Sequence, residues 1–110
     1  MSRPILEVYQ TGLTTVVGFG GRDILGDVNV ALCRDELIRL IEQQHCHVLA
    51  FDLTGVRLLP SGLLGLLSSL RSHEVEVHLY NPSDDIQEVL EITRLKTLMP
   101  VHFVDVPRPE

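Results

Sequence analysis

The residue best placed for chemistry is Ser61, between Pro60 and Gly62 in residues 47–70, HVLAFDLTGVRLLPSGLLGLLSSL. A short apolar run, Val48-Leu49-Ala50-Phe51, ends on Asp52 and reads as a buried strand. A loop with Gly55 as its turn residue follows, then leucines at helical spacing: Leu63, Leu66, Leu67 and Leu70. Ser61 falls where a helix needs an N-cap, so its hydroxyl is expected to accept a bond from an otherwise unpaired backbone N–H. In open α/β sheets, function gathers at the carboxyl ends of strands, which is where this serine would lie. A serine hydrolase would need a Gly-x-Ser-x-Gly elbow and a base; Leu59-Pro60-Ser61-Gly62-Leu63 is not that elbow, and no histidine is tied to Ser61 by spacing.

Other residues offer chemistry that their spacing does not support. His45-Cys46-His47, with Cys33 upstream, supplies zinc-type ligands, but neighbours entering a strand point to opposite faces and cannot share one ion. Asp84, Asp85 and Glu88 lack a fixed calcium ligand pattern; two acids in a first helical turn suit the helix dipole. Gly20-Gly21 has neither GxGxxG nor a Walker lysine and reads as a turn. Neither enzyme activity, a metal nor a cofactor is expected.

The elements that position Ser61 follow from periodicity. Residues 5–9 and 14–19 read as a hairpin of strands about Gly12. Residues 28–44 read as a helix capped by Asp27 or Asn29, with Val30, Cys33, Leu37, Leu40 and Ile41 as its apolar stripe. Residues 74–80, EVEVHLY, alternate as a half-buried strand and leave His78 on the polar face as a surface residue. Asn81-Pro82-Ser83 starts a third helix that Ser83 caps, and residues 101–106 form a last strand after Pro100. The predicted fold is α/β with order β-β-α-β-α-β-α-β: a mainly parallel sheet, an N-terminal antiparallel hairpin and helices mostly on one face.

The chain has 110 residues, 45% of them hydrophobic, and is read as one domain with loose tails at 1–4 and 107–110. Its net charge of −6 and lack of Trp disfavour nucleic-acid binding. No 18-residue apolar run or signal peptide is present, so a cytoplasmic protein without membrane contact is expected, with Cys33 and Cys46 as free thiols.

In this order of elements, three segments resemble the STAS domain family of bacterial anti-sigma factor antagonists and sulfate-transporter tails. Residues 51–67, FDLTGVRLLPSGLLGLL, resemble the family's strand ending in Asp-Leu-Ser-Gly-Val, followed by Asp-Ser-Ser/Thr-Gly-Leu-Gly and a helix. Residues 79–101, LYNPSDDIQEVLEITRLKTLMPV, are similar to its strand, Asn-Pro turn and helix ending in Thr-x-Leu. Residues 16–23, VVGFGGRD, look like its second strand and glycine turn. Without gaps, the family's phosphorylated serine falls on Ser61 and its final glycine on Gly65. Pro60, Gly62 and Leu63 replace the family's aspartate, second hydroxyl and glycine. A one-residue gap would put Pro60 at the phosphosite; the ungapped register keeps both Asp52 and Gly65 aligned.

The resemblance implies a stand-alone protein that binds an anti-sigma factor with a histidine-kinase-like serine kinase fold, controlled by phosphorylation of Ser61. The partner surface would comprise Pro60, Ser61, Gly62, Leu64, Gly65 and Ser68, with Leu64 as its exposed apolar anchor and Ser72 further along the same side. Pro60 and Gly62 support a rival reading, an adaptor that is never phosphorylated. Asp52 could hold Mg²⁺ beside a phosphoserine or, as an ordinary strand-end aspartate, cap the next loop. Whether the chain forms a homodimer is left open by the sequence.

Overall fold

The computed structural model describes residues 6–20, 25–26 and 28–104. The elements run β1 (Glu7–Gln10), β2 (Thr14–Gly18), α1 (Val30–Gln44), β3 (Val48–Asp52), α2 (Ser61–Ser69), β4 (Glu76–Tyr80), α3 (Asp84–Ile92) and β5 (Val101–His102). Short 3-10 turns, Leu70–His73 and Leu95–Thr97, follow α2 and α3. The five strands lie in sequence order; β1 and β2 are antiparallel and every later pair is parallel.

Each parallel connection therefore advances by one strand in the same direction. Right-handed crossovers then place all three helices on one face of the sheet. Strand alternation agrees: Val17, Leu49, Phe51, Val77 and Leu79 are fully buried and share the core with Leu37, Leu63, Leu67 and Leu90 of the helices. Burying each such side chain stabilises the fold by about 1.5–3 kcal/mol. The opposite face carries Val16, Asp52, His78, Tyr80 and His102, all partly covered. At its far edge a bulge between Val8 and Gln10 accompanies Tyr9 lying over Gly18, where a Cβ would come within 2.6 Å of the Tyr9 ring.

Several boundaries differ from expectation for local reasons. Helix α1 begins at Val30 because Asn29 caps it, accepting a bond from the Leu32 N–H; Asp27, the alternative cap, lies outside the described residues. Strand β4 begins at Glu76, because Glu74 takes a left-handed conformation (φ 63°) that ends the preceding turn. Strand β5 is two residues long; the expected extension to Val106 reaches residues that lie outside those described, as do both tails, Ile5 and Gly21. Among the described residues no helix is long and apolar enough to cross a membrane.

Candidate functional site

Ser61 is held by a loop fixed at both ends. Asp52, closing β3, accepts hydrogen bonds at Oδ1 from the Thr54 N–H (3.0 Å) and hydroxyl (2.5 Å). Asn81, closing β4 at φ 56°, donates through Nδ2 to Thr54 Oγ1 (3.2 Å), and its N–H donates to the His102 carbonyl (2.8 Å). Its Oδ1 accepts the Val104 N–H (2.9 Å). These bonds join the carboxyl ends of β3, β4 and β5, and Asp52 acts as a loop cap. Further along, the Ser83 hydroxyl donates to the Arg57 carbonyl (2.6 Å) while accepting the Ile86 N–H (3.1 Å). One serine thus caps α3, as its position predicts, and pins the loop that leads to α2.

Ser61 itself is not an N-cap. The cap is Pro60, in an extended conformation (φ −58°, ψ 148°), and Ser61 is the first helical residue. The Pro60 carbonyl accepts bonds from the Leu63 and Leu64 N–H groups (3.0 and 3.1 Å). The Pro60 side chain makes no cap bond to α2, whereas Asn29 and Ser83 cap α1 and α3 through theirs. Proline has no N–H to leave unpaired, and its fixed φ is compatible with the extended N-cap conformation it takes here. Ser61 is left exposed on the first turn.

Ser61, Gly62 and Gly65 are exposed, and Pro60 and Ser68 are half-buried. Ser61, Gly65 and Ser68 share one helix face, and the Ser68 hydroxyl donates back to the Gly65 carbonyl (3.0 Å). Leu64 must be corrected: it is only 7% exposed and belongs to the core. Leucines at 63, 64, 66, 67 and 70 are all buried, so the apolar side of α2 is wider than a single stripe and leaves only a ridge of small residues outside. In the loop that leads to Ser61, Leu58 is 50% exposed, while its neighbour Leu59 is buried. The adjacent pair Leu58-Leu59 held that signal, since successive side chains of an extended segment point opposite ways.

The glycines of the ridge differ. A Cβ at Gly65 would meet nothing within 4 Å, whereas one at Gly62 would sit 3.3 Å from Val30 Cγ2 of α1. A side chain at position 62, where the family pattern has a hydroxyl, would therefore press on Val30 of α1, which would have to shift by a few tenths of an ångström. The zinc-type residues do not converge: Cys33 and Cys46 are buried, His45 and His47 exposed, and no metal-ligating group of three occurs among the described residues. Burial, with Glu36 nearby, pushes the Cys33 thiol up to about 11. Sequence reasoning missed one further pairing. His78, expected at the surface, is 19% exposed and lies 2.9 Å (Nδ1 to Nε2) from His102.

No curated protein matches this chain. Among solved structures, the anti-sigma factor antagonist SpoIIAA in its unphosphorylated form superposes with a TM-score of 0.67 at 20% identity, covering 87% of this chain and 86% of the other. The Bacillus cell fate determinant SpoIIAA in the phosphorylated form gives 0.59 at 18% identity, over 87% and 89%. Both are likenesses of fold. The model of the STAS domain matches residues 7–105, nearly the whole chain, and the chain therefore belongs to the STAS domain family.

Proposed function

We propose that this chain is an anti-sigma factor antagonist-like binding module whose hold on its partner is switched by phosphorylation of Ser61. The observation that carries the reading is the position of Ser61: an exposed hydroxyl on the first turn of a helix whose N-cap, Pro60, has no side-chain acceptor, in a ridge of small side chains. The structural neighbours support it, being an anti-sigma factor antagonist known in unphosphorylated and phosphorylated forms. A helix N-terminus tolerates an added anion, so modification costs the fold little. The same phosphate brings a charge of about −2 into the docking surface, where it must be desolvated or repelled. Gly65 and Ser68 let a partner helix or loop approach closely, and Leu58 supplies the apolar contact assigned from sequence to Leu64.

In this reading the chain performs no catalysis and needs no cofactor. The partner is a cytoplasmic anti-sigma factor with a kinase-like ATPase fold, and it or a sister kinase brings the ATP. Pro60 and Gly62 favour one rival, an adaptor with the same surface that is never phosphorylated. Phosphosite mapping of the chain recovered from its native host separates the two. A phosphoryl group on Ser61 is expected; its absence under every growth condition that expresses the protein would leave the adaptor.

A further inference from the structure

His78 and His102 face each other across β4 and β5 on the side of the sheet without helices. Their N···N distance is 2.9 Å, their planes differ by 11° and their ring centres are 5.0 Å apart. That separation is close to the N···N distance plus two ring radii. The rings therefore meet edge to edge rather than face to face, through the two facing nitrogens. Such an arrangement holds one proton, as N–H···N. Tyr80 lies against the far side of His102, ring centres 4.8 Å apart.

We infer that His78 and His102 form a one-proton latch that holds edge strand β5 on β4 and releases it when both imidazoles are protonated. In the neutral pair one ring donates and the other accepts. A first proton from solvent goes to an outward nitrogen and leaves a charge-assisted N–H···N bond, which is stronger. A second sets two N–H groups against each other at 2.9 Å, and the bond is lost. The latch is therefore closed at high pH and opens as pH falls through the range where imidazoles gain charge.

The surrounding groups fit this sequence. On β4, the Glu76 carboxylate lies 3.8 Å from His78 Nε2, a buried atom with no hydrogen-bond partner among the described residues. Across β3, Ala50 beside His78 adds no charge, and Asp52 beside Tyr80 is engaged with Thr54. Glu7 and Tyr9 occupy the distant β1 edge of the same face. Strand β5 is only two residues long; beside its ladder to β4 it is tied by the bonds to Asn81 and by that from the Leu79 N–H to the Pro100 carbonyl, with Val101 packed against the core. The His78–His102 bond adds a side-chain tie to this short edge strand.

Nitrogen-15 NMR of the full chain, with amide hydrogen exchange corrected for intrinsic rates, tests the latch between pH 8 and pH 5. The expected result is a through-hydrogen-bond coupling between His78 Nδ1 and His102 Nε2 at high pH. As that coupling disappears, protection of the Asn81 and Val104 amides should fall about tenfold while β3 stays protected. In His102→Gln the protection of those amides should no longer depend on pH. Absence of the coupling in the wild type, double protonation without loss of protection, or loss of β3 protection in the same step would each overturn the latch. The wild-type measurement stands whether or not the variant folds.

Discussion

Gly65 is where the docking account meets its simplest test. It sits inside α2 with open space where a Cβ would be, so nothing in the fold requires a glycine there. Gly65→Ala should stabilise the protein by up to about 1 kcal/mol, the helix-propensity difference. That raises the melting temperature by roughly 4–8 °C. Gly65→Arg should fold with a melting temperature near that of the wild type yet lose the partner, as read by thermal denaturation and co-purification. Leu64→Ala should behave differently and cost about 2–5 kcal/mol, because it empties part of the core. Cys33 and Cys46 should both resist a thiol reagent at neutral pH in the native protein and react in denaturant; the buried Cys33 thiol, pushed up to about 11, carries almost no thiolate. The identities of Ser61 and Gly65 were readable from motif register, but the burial of Leu64 was not. A second buried ridge on a short helix depends on how close its neighbours lie, which periodicity alone does not report.

The three helices make a graded set of N-termini. Asn29 and Ser83 are side-chain caps; Ser61 sits one position too late to be one. Asn29→Ala and Ser83→Ala should each lower unfolding free energy by about 1 kcal/mol. Ser83→Ala should lose more, since its bond to the Arg57 carbonyl goes as well. Ser61→Ala should change stability by less than about 0.5 kcal/mol, as at an ordinary surface site. Urea denaturation of the three variants checks that order, and a loss at Ser61 equal to the others would restore it as a cap. Ser83 was legible because a serine followed by two acids, Asp84 and Asp85, marks a helix start. Ser61 was not, because the cap falls one residue earlier, on Pro60, and a single-residue shift of this kind lies below what periodicity resolves.

At the scale of the whole molecule, the alternation of strand and helix patterns was enough to give a mainly parallel sheet with an antiparallel edge and helices mostly on one face; the strand order that sets all three there came from the structure. What stayed hidden were contacts between residues distant in sequence: Asn81 to Thr54, Ser83 to Arg57 and His78 to His102. Each depends on register across the sheet, which a linear pattern does not contain. The first two set the loop from which α2 springs, so the position of Ser61 is a property of the sheet end as much as of its own helix. If that position serves a switch, charge at residue 61 should act on the partner and leave the fold alone. The most direct measurement is therefore a side-by-side recovery from native-host extract with the wild type, Ser61→Ala and Ser61→Asp, the bound proteins identified by mass spectrometry. Wild type and Ser61→Ala should retain an anti-sigma factor with a kinase-like ATPase fold, and Ser61→Asp, equally well folded, should release it. Retention of the same partner by all three would contradict the switch.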